Sequence, residues 1–119
     1  MVFFDKFKKK GLNSPGFAKI DSEEKVMKLA NEGILKPLFL RPLRFDGKDS
    51  VQNRLFVPPV IVELKERYDD MVEHLHRQDK VSSYSCIPEY RGRSTIPSKL
   101  TIIAGKDGMA IFTETIKIW

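Results

Sequence analysis

The chain holds one cysteine, Cys86, in 119 residues. No internal disulfide can form, so nothing covalent supplements the core, and a reducing, cytoplasmic setting is expected. No apolar run exceeds four residues, as at Met109 to Phe112. A membrane-spanning helix needs about twenty. The opening Met1-Val2-Phe3-Phe4-Asp5-Lys6 lacks the basic-then-apolar order of a secretory signal. Gly92, Gly105 and Gly108 fit no phosphate-loop spacing, and Ser82, Ser83 and Ser85 lie in no Gly-x-Ser-x-Gly elbow. A nucleotide enzyme is therefore unsupported, and no cofactor is implied.

Histidine is scarce as well. His74 and His76 stand two apart on an expected helix, about 200° around its axis, so they cannot grip one ion together. Glu73 and His76 form a single Glu-x-x-His, which a dinuclear carboxylate site needs twice. Asp70 and His74, four apart, suit a surface pair. No metal ligand set results. Cys86 is the one conceivable nucleophile, but a reactive thiol needs a neighbouring cation, histidine or helix start to lower its pKa. The chain order brings His74, His76, Arg91 and Arg93 no closer to it. A small, buried apolar role is the expectation, and no catalytic residue is assigned.

What remains is the profile of one ordinary globular domain, 41% apolar and 31% charged. The net charge of +5 suggests a nucleic-acid partner until it is located. Lys6, Lys8, Lys9 and Lys10 against Asp5 place +3 within residues 1–10, leaving only +2 for the other 109 residues. Residues 1–16 read as a basic, aromatic segment that is mobile or docked, ahead of a single domain over 17–119. Phe3, Phe4, Phe7, Lys8, Lys9 and Lys10 have the composition of a weak anionic-membrane contact, too short for more than reversible attachment.

A first helix is expected over 22–32, capped by Asp21 with Glu24 completing a capping box, and stopped by Gly33. The extended Ile34–Phe45 stretch contains Pro37 and Pro42, which suit an edge strand. Asp46-Gly47 turns it toward a second strand over 51–57. After Pro58-Pro59, the apolar spacing of Ile61, Leu64, Tyr68, Met71, Val72 and Leu75 marks a long helix, with Glu63, Glu66, Asp69, Asp70 and Glu73 off the stripe. Three strands follow, over 81–87, 99–104 and 109–118. The order α-β-β-α-β-β-β argues for an α+β fold, a mainly antiparallel sheet of four to five strands with two helices packed on it.

In the last hairpin, pairing Ala104 with Met109 across Gly105-Lys106-Asp107-Gly108 puts Leu100, Ile102, Ala104, Met109 and Ile111 on one face. Ile103, Ala110, Phe112, Ile116 and Ile118 then occupy the other. Both faces are apolar in that register, so a second layer must cover the sheet, and the candidates are the Ile34–Phe45 stretch, the N-terminal segment or another protein chain. Pro88-Glu89-Tyr90-Arg91-Gly92-Arg93-Ser94 is the candidate contact loop, because forked guanidinium groups beside an aromatic ring suit phosphates and acidic protein surfaces alike. Arg41 and Arg44 would extend it into a basic surface. The leading expectation is a non-catalytic binding or regulatory domain acting through protein contacts, including self-association. The alternative is nucleic-acid binding through Tyr90, Arg91, Arg93, Arg41 and Arg44.

Overall fold

A computed structural model describes residues 14–119, and the expected segment 1–16 falls outside it except for its last three positions. Among the described residues the fold is α+β, with two antiparallel sheets and three α-helices. Helix α1 is Ser14–Ala18, α2 is Glu23–Asn31 and α3 is Pro59–Arg77. Strands β1, Lys36–Phe39, and β2, Arg54–Val57, form one two-stranded sheet. Strands β3, Ser83–Glu89, β4, Lys99–Lys106, and β5, Met109–Lys117, form a separate three-stranded meander in the order β3-β4-β5. The single sheet expected from the sequence is thus divided in two, and α1 is an additional helix.

Helix α2 is capped by Ser22, not Asp21. The Ser22 hydroxyl accepts the Lys25 amide at 3.3 Å, while the Asp21 carboxylate pairs with the Lys25 ammonium at 2.7 Å. Gly33 ends the helix at φ 77, where a side chain would be strained. Pro37 lies in β1 opposite Phe56. A two-stranded sheet tolerates it because each strand has an open edge that needs no donor.

Helix α3 begins with Pro58 at its N-cap and Pro59 in the first turn, so Val60-Ile61-Val62 is helical. Its inward face is Ile61, Lys65, Asp69 and Val72, flanked by Leu64, Tyr68 and Leu75. Met71, expected within, is 53% exposed. The buried stripe is rotated toward the Lys65–Asp69 side, and Asp69, expected off the stripe, is buried together with Lys65.

The β4–β5 hairpin is closed by a tight turn in which Asp107 and Gly108 both have positive φ, 54 and 79. Lys106 pairs with Met109 and Gly105 with Ala110, after which Ile111 is bulged out and Ala104 pairs with Phe112. One extra residue reverses which side chains share a face. Leu100, Ile102 and Ala104 are joined by Ile116, 2% exposed, and by Phe112, whose ring meets Tyr68 of α3 edge-on at 6.2 Å. Ile118 continues into the core at 6% exposure. The opposite face carries Ser85, Ile87, Thr101, Ile103, Thr113 and Thr115, so it is not the second apolar layer that the Ala104–Met109 register required. The bulge depends on Gly105, where a Cβ would lie 2.4 Å from the Met109 carbonyl oxygen.

Candidate functional site

Arg41 and Arg44 flank the corner after β1. The chain reverses there because Asp46 adopts φ 64 and Gly47 passes so close to Arg41 that a Cβ would stand 1.9 Å from its carbonyl oxygen. Asn53 braces the corner: its Oδ1 accepts the Arg41 amide, and its Nδ2 donates to the Arg41 and Lys48 carbonyls, each at 2.8 Å. The Arg41 side chain reaches across to β3, donating from Nε to the Phe45 carbonyl at 2.7 Å and from a terminal nitrogen to the Tyr84 carbonyl at 3.0 Å. Arg44 is engaged differently. It reaches Asp70 at 2.7 Å and Glu73 at 3.1 Å on α3, with its guanidinium 5.4 Å from the Phe45 ring centre.

Beneath this corner lies a polar cluster that the sequence reading missed. Lys65 and Asp69 are 2% and 4% exposed and pair at 2.7 Å. The Tyr84 hydroxyl donates to Asp69 Oδ1 at 2.6 Å and accepts from Lys65 Nζ at 3.1 Å, with the Leu40 carbonyl 3.3 Å away. Every buried side-chain nitrogen and oxygen among the described residues has a partner. That satisfaction is what makes burial of an ion pair tolerable. Burial, and then the adjacent Asp69 carboxylate, push the Tyr84 phenol far above its ordinary pKa. The one sequence signal was the i,i+4 spacing of Lys65 and Asp69, which is ordinary on solvated helices.

Tyr90, Arg91 and Arg93 lie past the far end of β3. Six residues of extended chain separate Tyr84 from Tyr90, about 20 Å at roughly 3.3 Å per residue. The structure therefore does not gather the five candidate residues onto one surface. Arg91 stacks over the Trp119 ring at 5.4 Å, and Gly92 takes φ 56. Trp119 meets Phe17 edge-on at 6.3 Å and donates from its indole nitrogen to the Ile96 carbonyl at 3.1 Å. Tyr90 is partly exposed, and burial of the remainder raises its pKa. The membrane-contact candidates Phe3, Phe4, Phe7, Lys8, Lys9 and Lys10 lie outside the described residues.

The expected Asp70–His74 pair is replaced by Asp70–Arg44, and His74 meets Gln78 at 3.1 Å instead. Among the described residues no three His, Cys, Asp or Glu side chains converge in a way that could hold a metal ion. Cys86 faces inward beside the Lys65–Asp69 pair, and burial pushes its thiol up to about 11. Lys65 opposes that shift without reversing it. At neutral pH the sulfur stays protonated, the reverse of what a nucleophile needs. No helix among the described residues is long and apolar enough to cross a membrane.

The remaining surface of note is the meander's open side. Ile87 is 50% and Ile111 51% exposed, and the two central rows, Ser85-Ile103-Thr113 and Ile87-Thr101-Thr115, carry no charge. Its two edges differ. Strand β3 is interrupted by Pro88 and has its Tyr84 carbonyl taken by Arg41. Strand β5 runs nine residues without proline, and among the described residues no main-chain group bonds to its outer edge. No known protein family, curated protein or solved structure matches this chain.

Proposed function

We propose that the chain is a small non-catalytic binding or regulatory domain that works through protein–protein contacts, and that the contact is self-association along β5. The supporting observation is the asymmetry of the meander: one edge is blunted, while the other is long, bulged only at Ile111 and, among the described residues, unpartnered. Natural sheets usually protect such an edge with proline, lysine or a covering element. Here the charged groups on β5 are Glu114, half-buried on the inner face, and Lys117 at the end.

A second copy fits that edge by its charge pattern. Two β5 strands related by a two-fold axis at Thr113 would place Ile111 opposite Thr115, Lys117 opposite Met109 and Glu114 opposite Phe112. No like charges meet, and the uncharged Ser/Thr/Ile rows continue across a six-stranded sheet. Nucleic-acid binding has less support, since Arg44 is neutralised by two carboxylates and lies far from Tyr90, Arg91 and Arg93. A cytoplasmic location accords with the single unpaired cysteine.

Light scattering on the purified chain tests the reading. A dimer is expected at tens of micromolar, and the double variant I111K/T115K, which would set lysines against lysines across the axis, is expected to be monomeric with an unchanged circular dichroism spectrum. A native chain that stays monomeric at several hundred micromolar would overturn it.

A further inference from the structure

A cavity of about 210 Å³ opens between the Leu43–Phe45 turn, the C-terminal half of α3 and the start of β3. Its volume is that of roughly seven water molecules at ~30 Å³ each, small for a nucleotide and adequate for a compact organic acid. We infer that this cavity is a binding site for a small organic monocarboxylate, held by Arg41.

Three observations carry the inference. First, Arg41 is a fixed cation without a counter-ion. Its side chain donates only to the neutral Phe45 and Tyr84 carbonyls, and no carboxylate lies within ion-pair distance of it among the described residues. The neighbouring carboxylates are taken up elsewhere: Asp70 by Arg44, and Glu73 by Arg44 and Arg77. A guanidinium has five N–H donors. Two are used, so three remain, on a group whose backbone and side chain are both clamped. Such a fork is ready to receive a carboxylate edge-on without ordering a mobile side chain.

Second, the walls suit an apolar body. Phe45 and Tyr84 meet edge-to-face at 5.1 Å, and buried Val72 and Val81 complete an apolar side. Third, the charge of the lining favours a monoanion over a dianion. Asp46 and Glu73 line the same cavity as Arg41 and Arg44. Glu73 is paired with Arg44, which leaves Asp46 as the lining carboxylate without an ion-pair partner among the described residues. A phosphate dianion would bring twice the charge of a single carboxylate toward it.

Benzoate is the test ligand, with benzamide as its uncharged isostere and inorganic phosphate as a compact anion of higher charge. Calorimetry or amide chemical-shift titration of the native chain should give saturable benzoate binding of roughly millimolar affinity. The shifts should centre on residues 41–46, 76 and 82–84. Arg41→Gln should weaken it about tenfold or more, the scale of one charge-assisted hydrogen bond. Because Arg41 also clamps two carbonyls, a second variant keeps those bonds intact: Ser82→Phe, at the exposed mouth, should block the cavity and abolish saturation. Benzamide bound as tightly as benzoate would overturn the inference. So would phosphate competing at equal affinity, or a Ser82→Phe chain that binds benzoate normally.

Discussion

Lys65 and Asp69, one helical turn apart on α3, close a 2.7 Å ion pair in the interior, and the Tyr84 hydroxyl bridges both ends of it. This contact ties α3 to the meander, and through the Leu40 carbonyl it also touches the end of the β1–β2 unit. Removing one partner strands the other in a medium that cannot solvate it.

Lys65→Met should therefore cost about 3–5 kcal/mol in urea unfolding, the usual penalty for half of a buried pair. Replacing both charges, Lys65→Met with Asp69→Leu, should cost much less than the two single changes combined, because no bare charge is left behind. A double-variant cost equal to the sum of the two single costs would mean the pair does not act as a unit.

Alkaline pH should destabilise the fold. The Cys86 thiol, raised to about 11, and the Tyr84 phenol, raised further, both hold their protons more tightly folded than unfolded. The unfolded chain then binds fewer protons, so stability is complete below about pH 8.5 and falls as pH rises, by at most ~1.4 kcal/mol per unit for each group. Cys86→Ala should flatten the part of this loss between about pH 8.5 and 11. Urea midpoints that rise over that window would contradict the assignment.

The thiol itself supplies a kinetic check. A free cysteine is a few per cent thiolate at neutral pH, whereas a thiol at about 11 is on the order of one part in ten thousand ionised. Alkylation of native Cys86 by iodoacetamide should be slower than that of a model thiol by about a hundredfold, and should recover in urea. A faster rate than the model thiol would restore the case for a cysteine enzyme.

Gly105 governs the register of the last hairpin. Gly105→Ala drives a methyl into the Met109 carbonyl, so it should cost more than about 2 kcal/mol, in the range of backbone-strain substitutions. The neighbouring Gly108→Ala, at φ 79 with open space around its missing side chain, should cost less. The reverse order would place the strain in the turn instead of the bulge.

These positions also show how far the sequence could be read. The α+β class, both hairpins and the two longer helices follow from local rules: prolines at the head of α3, glycine at the end of α2, Asp-Gly at two turns. What escaped depends on contacts between distant residues. A bulge at Ile111 is invisible when Gly105-Lys106-Asp107-Gly108 is equally readable as a four-residue loop, yet it decides whether Ile116 faces the core. Lys65 and Asp69 resemble any solvated i,i+4 pair until Tyr84, fifteen residues beyond Asp69, is folded over them. Ser22 displaced Asp21 as the cap because Asp21 found the Lys25 ammonium. At the candidate contact surface, residue types singled out Arg41 and Arg44, but strand length sets them apart from Arg91 and Arg93.

Amide hydrogen exchange along β5, followed as a function of protein concentration, tests self-association most directly. Pairing of two β5 edges predicts that alternate amides between Met109 and Lys117, those facing away from β4, become slower to exchange as concentration rises from a few to several hundred micromolar, while amides of β3 do not change. Exchange at those β5 amides that is fast and independent of concentration would contradict it.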